Sequence, residues 1–396
     1  MLLTATRDVR LLFLSRFLRL FAYGALSVVL VLYLTGIGLS ESQSGLLLTT
    51  TLLGDTIVSL WLTTRADRAG RRRMLIIGAA SMATAGVVFA STRNFVWLLI
   101  AGTAGVISPS GNEVGPFLSV EQAALSHVVE ARDRTHLFAW YTMTGALATA
   151  AGALAAGFAA SAIGERGVIV AYACFGVLLA IVFARVSPAV EVAHAEGSDD
   201  VPKRRVPPVV YRLAALFALD AFGGAFVVQS FAAYWFYRRF GVAPVTLGGI
   251  FFGANVFAAL SALVASRLAA SFGLVRTMVF THLPSNVLLI LVPLMPNLQL
   301  AILVLLLRFS ISQMDVPTRQ SYTMAIVRPE ERSAAAGITS VARTTGAAIA
   351  PLFAGLMYAH PALINLPFFI AGGLKIAYDL LLYRAFVSVQ PPQESA

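Results

Sequence analysis

The 396-residue chain is short of charge: only 12% of its residues are Asp, Glu, Lys or Arg, about half the share in an average soluble domain. A water-facing surface cannot be made from so few ionised groups. Cysteine is nearly absent. Cys174 stands alone, which excludes a secreted scaffold stapled by disulfides. No G-x-x-x-x-G-K-[ST] loop occurs, so nothing points to ATP as an energy source. Neither His127 nor His136 has neighbours at metal-ligand spacing, and both read as interface residues. No metal and no cofactor is expected. Apolar residues, by contrast, make up 58% of the chain, too many for a disordered protein. A polytopic helical membrane protein remains. The net charge of +10 does not call for nucleic acid, because cytoplasmic loops of membrane proteins collect Lys and Arg.

A helix crossing a bilayer needs about 20 mostly apolar residues. Twelve such segments can be read, near 11–36, 45–64, 74–91, 96–127, 136–161, 168–186, 209–236, 247–268, 275–295, 298–327, 334–357 and 364–386. Arg7 and Arg10 precede the first, and no small-residue cleavage site follows it, so it reads as a retained helix. With the N-terminus inside, nineteen Lys and Arg fall in inside segments, whereas only Arg93, Arg166, Arg238 and Arg239 fall outside. The bias predicts an inner plasma membrane protein with both termini cytoplasmic. The longest polar stretch runs from Val190 to Pro208 and is rich in Gly, Ser, Asp and Pro. It reads as a linker (190–208) between two six-span halves, 1–189 and 209–396.

The halves resemble each other. A shift of 198 positions aligns Gln122 with Gln320, Asp133 with Glu331, Arg134 with Arg332 and Gly157 with Gly355. A shift of 203 aligns Gly38 with Gly241, Gly45 with Gly248, Gly70 with Gly273 and Arg73 with Arg276. A parallel six-plus-six repeat is a transporter architecture, with a substrate site between the halves. The expected fold is an all-α membrane protein of twelve transmembrane helices in two pseudo-symmetric six-helix bundles.

Between spans two and three the chain reads Asp67-Arg68-Ala69-Gly70-Arg71-Arg72-Arg73. This resembles the G-x-x-x-D-R-x-G-R-R/K loop of the major facilitator superfamily, with Thr63 in place of the first Gly. Asp67 suits a helix N-terminus, Gly70 a tight turn, and Arg68 and Arg71 the cytoplasmic surface. The resemblance implies a conformational latch. Small residues on span five (Ala148, Gly152, Ala153, Ala156, Gly157) and, with Pro351, on span eleven (Gly346, Ala350, Ala354, Gly355) are similar to the motif of drug/proton antiporters in that family. Ordinary close helix packing explains them better.

Ionisable groups inside a bilayer cost at least about 2.5–3.5 kcal/mol and are functional candidates. Twelve occur in the predicted spans: Arg16, Arg19, Asp55, Glu113, Glu121, Asp220, Arg308, Asp315, Arg319, Arg343, Lys375 and Asp379. The family resemblance implies that spans one, four, seven and ten line the cavity, and eight of the twelve lie there. Asp55, Glu113 and Asp220 are the proton-coupling candidates. Asp55, about 18 Å along the helix from Asp67, is either a proton carrier or the permanent partner of a cavity Arg. Arg16, Arg19, Asn112, Arg308 and Arg343 are the substrate-binding candidates. Arg16 and Arg19 either snorkel to the surface or pair with Asp220. Arg308 either binds an anion or pairs with Glu113. Asp315 and Arg319, four apart, can pair within one helix. Repeat symmetry sets Glu121 opposite Arg319, a candidate gate between halves. In span four, Ser108 to Pro116 holds two Pro and two Gly and should break the helix around Asn112 and Glu113.

The function expected is secondary active transport by alternating access, with proton-coupled export of a small organic or amphipathic solute. The alternative is an organic-anion transporter with an Arg-lined cavity, in either direction. An enzyme would need a His/Asp or metal cluster at one membrane face, and His127 to Asp133 does not supply one. The partners expected are the solute, protons and the lipid bilayer, for a monomer.

Overall fold

The structure, a computed structural model, describes residues 7–113, 117–128, 134–187, 207–328 and 331–387; within these, the side chains of 62–69, 123, 126–128, 134–136, 266 and 333 are outside the description. The described residues are almost wholly helical: α1 (Arg7–Gly36), α2 (Glu41–Ala69), α3 (Arg71–Ser91), α4 (Phe95–Ala104), α5 (Phe117–Val128), α6 (Arg134–Ala184), α7 (Pro208–Ala225), α8 (Gln229–Phe240), α9 (Pro244–Phe272), α10 (Leu274–Leu291), α11 (Leu298–Ser312), α12 (Asp315–Ala325), α13 (Arg332–Tyr358) and α14 (Leu366–Phe386). In lipid a backbone must satisfy its own N–H and C=O groups, and a helix does so within one segment.

Nine helical stretches among the described residues are long and apolar enough to cross a bilayer. The twelve crossings of the sequence emerge once three local facts are added. At 51 residues, α6 would be about 75 Å long if straight, far more than one bilayer. It turns back at Gly164 (φ 73, ψ 165), a conformation that side chains with a Cβ rarely adopt, and so makes spans five and six. Span four is split into α4 and α5 by the non-helical stretch beginning at Gly105. Span eleven, α13, carries Arg343 and several Thr among its small residues. Spans seven and ten are likewise interrupted, between α7 and α8 and between α11 and α12.

The repeat reappears in backbone detail. Gly38 and Gly241 have φ of 102° and 64°, and Gly70 and Gly273 have φ of 94° and 82°. Each pair sits at the same turn of its half. Asn94 and Asn297, separated by the same shift, are both N-caps: Asn94 accepts from Val96 N and Asn297 from Leu300 N, each at 2.9 Å. Such caps satisfy backbone donors that a helix start leaves open.

Packing divides the chain into two compact units, residues 1–201 with 229–252, and residues 202–228 with 253–396. In the first, small residues bring helices into backbone contact. A Cβ on Gly24 would lie 2.1 Å from Thr149 O, one on Gly152 2.0 Å from Phe21 O, and one on Gly54 1.9 Å from Thr103 O. These glycines press α1 onto α6 and α2 onto α4. α8 belongs to this unit, where Ser230 Oγ donates to Pro109 O (2.6 Å) and Tyr234 OH to Glu41 Oε1 (2.5 Å). In the second unit, Gly346 seats α13 against α7, its Cβ position 2.5 Å from Ala218 O. Leu213, Phe217, Met278, Tyr322, Tyr378 and Leu382 form its apolar core. The small residues of spans five and eleven thus serve close helix approach. The outward surface is apolar, with Ile57, Trp97 and Phe280 each more than 60% exposed, as a lipid-facing surface requires.

Gly24→Val should therefore disrupt the α1–α6 seam, costing at least the upper end of the about 1–3 kcal/mol typical of overpacking, since the obstacle is backbone. Gly249→Ala, at a glycine with nothing within 4 Å of its Cβ position, should leave stability unchanged. Thermal unfolding of both purified variants in detergent checks this.

Candidate functional site

The intramembrane charges gather into two clusters, one in each unit. In the first, Arg16 and Arg19 stand three apart on α1 and so share a face. Arg19 is fully buried. Its Nη1 and Nη2 donate to Glu121 Oε1 and Oε2 at 2.8 and 2.7 Å, and its Nε to Glu113 Oε1 at 2.8 Å. Arg16 Nη1 donates to Glu113 Oε2 at 2.9 Å. Glu121 also accepts from Ser15 Oγ (2.6 Å) and from Tyr141 OH. Tyr141 and Phe117 lie under Arg16 and Arg19, with ring centroids 4.5 and 4.6 Å from the guanidinium carbons.

The local sequence makes this possible. Gly145 leaves the room that Arg16 fills, for a Cβ there would be 2.7 Å from Arg16 Nε. The break after α4, with Gly111 at φ 71°, puts Glu113 at the end of a non-helical strand of chain rather than on a helix face. Two arginines meet two glutamates, so the cluster is electrically neutral. That matters because an unpaired ion in lipid costs several kcal/mol. Asn112 is exposed beside it, and its carbonyl accepts from Ser108 Oγ at 2.7 Å.

The second cluster is larger and unbalanced. Asp220 on α7 is buried. Its Oδ1 is 2.5 Å from Lys375 Nζ, and its Oδ2 is 3.3 Å from Arg319 Nη1 and 3.4 Å from Arg343 Nη1. Arg319 also pairs with Asp315 at 2.9 Å, one turn before it. Gly223 and Gly224 make way for Lys375, since a Cβ on Gly224 would stand 3.0 Å from its Cε. His282 on α10 lies between two carboxylates: Nδ1 is 2.8 Å from Asp379 Oδ1 and Nε2 is 3.7 Å from Asp220 Oδ1. Asn286, one turn on, donates to Asp379 Oδ2 at 2.9 Å.

Arg308 on α11 feels the field of Asp220 and Asp315. Yet among the described residues it makes no ion pair and no side-chain hydrogen bond, and its Nε is buried without a partner. Its guanidinium rests on the neighbouring Phe309 ring at 4.8 Å. Arg343 is one-third exposed along its side chain, at 34%. Four fixed cations (Arg308, Arg319, Arg343, Lys375) thus face three carboxylates (Asp220, Asp315, Asp379).

Set against the sequence expectations, Arg16 and Arg19 are held by Glu113 and Glu121 and do not snorkel; Asp220 is not their partner. Glu113 is not the partner of Arg308, which lies in the other unit. Glu121 finds its partners within the first unit, and Arg319 within the second. Asp55 is half-buried on α2 and accepts from Ser59 Oγ at 3.4 Å. The side chains of Asp67 and Arg68 lie outside the described residues, Gly70 turns the chain between α2 and α3 at φ 94°, and Arg71 is buried. No group of three or more His, Cys, Asp and Glu able to hold a metal occurs among the described residues.

Sequence reasoning passed over His282 and Asn286 as site residues and left Lys375 and Asp379 aside. The signal was present: each pair is spaced i,i+4 on an apolar span.

Glu121→Leu alone leaves Arg19 short of charge in the interior and should cost about 3–5 kcal/mol, as should Arg19→Met. The double variant, which removes both ions, should lose far less than the sum. Unfolding of the three variants in detergent measures the coupling.

The chain matches the Major Facilitator Superfamily over residues 12–312. It is 32% identical over 427 aligned residues to an uncharacterized membrane protein of Saccharomyces cerevisiae, covering 97% of this chain and 95% of that one. Among solved structures, the nucleoside transporter NupG aligns with a TM-score of 0.80 at 12% identity, over 96% of this chain and 100% of NupG. A D-xylose–proton symporter aligns at 0.72 and 14% identity, over 95% and 97%. The human organic anion transporter MFSD10 aligns at 0.65 and 18% identity, over 95% and 99%. At such identities these structures share the fold and nothing finer. The match over most of the length, the helical architecture and the repeated half together mean that the chain belongs to the Major Facilitator Superfamily and is a multi-pass membrane transporter.

Proposed function

We propose that the protein is a secondary active transporter of small organic anions, working by alternating access of two six-helix halves, 1–189 and 209–396, joined by the linker 190–208. The observation that carries this reading is Arg308, a cation within an apolar span whose Nε is buried without a partner. A lone guanidinium there is costly unless something anionic arrives to pair with it. Arg343 supports it, being partly exposed and only 3.4 Å from an Asp220 already shared with two other cations. A carboxylate, phosphate or sulfonate would supply the missing charge and accept from the guanidinium fork.

The acids offer less to a proton-driven exporter. Glu113 is already held by two arginines and Asp220 by three cations. The excess of Lys and Arg on one set of loops supports cytoplasmic termini, and the Asp67 to Arg73 loop the latch role that its family resemblance implies.

Counterflow in proteoliposomes, with labelled organic anions set against nucleosides, sugars and organic cations, tests the reading. Anions should exchange. Arg308→Ala should weaken their apparent affinity by about 10–100-fold, the loss of one charge-assisted bond of about 1.5–3 kcal/mol, while Arg308→Lys should retain part of it. Exchange of neutral or cationic solutes alone, or wild-type anion exchange by Arg308→Ala, would overturn it.

A further inference from the structure

We infer that His282 is a proton-binding site linked to the anion site, so that the second cluster takes up one proton together with a divalent organic anion. The inference rests on the organic-anion reading and narrows its substrate to dianions.

The geometry of the imidazole carries the argument. Its two nitrogens face two different carboxylates, Nδ1 towards Asp379 at 2.8 Å and Nε2 towards Asp220 at 3.7 Å. A neutral imidazole has one N–H. Spent on Asp379, it leaves the Nε2 lone pair aimed at a carboxylate oxygen. Asn286 braces the same arrangement by donating to the other oxygen of Asp379. A second proton, placed on Nε2, would give both carboxylates a donor. The ring is buried, its side chain 5% exposed, with Tyr378 edge-on at 5.8 Å.

What opposes that proton is the surrounding charge. The charged groups of the cluster are Asp220 from α7, Arg308 from α11, Asp315 and Arg319 from α12, Arg343 from α13, and Lys375 and Asp379 from α14, with Tyr378 as the neighbouring phenol. With His282 neutral, four cations against three carboxylates leave an excess of one positive charge. Protonation raises the excess to two. In a medium of low dielectric, a residual charge is expensive. A bound monoanion cancels the excess with His282 neutral. A bound dianion cancels it only when His282 carries its proton. Proton and dianion therefore favour each other's binding, and by reciprocity each tightens the other by the same factor.

The link also has a local route. An imidazolium at Nε2 is a fourth cation competing for Asp220. It would loosen the hold of that carboxylate on Arg343, the most exposed of its partners, and release Arg343 towards the anion alongside Arg308.

Permanently charged sulfonates test this, because their own charge does not change with pH. Ethanedisulfonate and benzenedisulfonate serve as dianions, with ethanesulfonate and benzenesulfonate as monoanions. Binding to the full-length protein in detergent is read by thermal stabilisation at pH about 7.5 and about 5.5, a range that spans imidazole titration. The disulfonates should bind up to about tenfold more tightly per unit fall in pH, and the monosulfonates should not. In weak buffer, disulfonate binding should draw about one proton per protein from solution. His282→Gln should bind disulfonates without pH dependence and without proton uptake. Because the proton count uses the wild-type chain, it stands even where the variant fails to fold. Disulfonate binding without pH dependence or proton uptake in the wild type, or with both retained in His282→Gln, overturns the link and leaves the anion reading intact. If no sulfonate stabilises the wild type at either pH and none exchanges in counterflow, the anion reading fails and the link falls with it.

Discussion

A charge inside lipid is costly unless an opposite charge meets it, and this constraint organises the charged clusters of both units. Arg19 is the clearest case. It is fully buried on α1, and every donor of its guanidinium fork is directed at Glu121 or Glu113. The cost of desolvating such an ion is offset only by near-ideal geometry. That geometry depends on features with no charge of their own: Gly145 opening a slot for Arg16, Tyr141 and Ser15 completing Glu121, and the interrupted helix that delivers Glu113.

The two units meet the constraint differently. The first closes its ledger with two arginines against two glutamates. The second unit's cluster, among the described residues, holds four fixed cations, three carboxylates and a histidine, and Arg308 makes no ion pair in it. A structure selected only for stability would remove such a surplus, since replacing a buried ion with an apolar residue is often neutral or stabilising. On the organic-anion reading, this surplus is what a bound solute would answer. In the first, Arg16 and Arg19 are each ion-paired with a glutamate.

Interrupted helices are the second recurring device. Spans four, seven and ten are each broken, and span one is not. Each break places polar groups at its edge: Glu113 after α4, Gln229 and Ser230 at the start of α8, Asp315 at the start of α12. Backbone that leaves the helix within a membrane must find partners in protein or water. Here Pro109 O accepts from Ser230 Oγ, and Ser27 Oγ accepts from Gln229 Nε2 at 2.8 Å. The breaks thus convert apolar spans into sites where side chains from distant parts of the chain converge.

Much of this was legible in the linear chain. Charge scarcity and apolar runs specified a helical membrane protein, because a spanning backbone in lipid has few other ways to satisfy itself. The Gly and Pro of residues 108–116 marked the break in span four, since their local conformational limits act without tertiary help. The turn glycines betrayed the repeat for the same reason, and the cost of ions in lipid singled out the charged residues. Apart from Asp315 and Arg319, whose spacing on one helix foretold their 2.9 Å pair, which charge met which was decided by the folded structure. Arg16 and Arg19 found glutamates of their own unit and Asp220 found Lys375, while His282 came to lie between two acids. Partner choice depends on helix rotation and crossing distance, set by contacts such as Gly24 on Thr149 and Gly346 on Ala218. Those contacts join residues over a hundred positions apart, and no local pattern in the sequence encodes them.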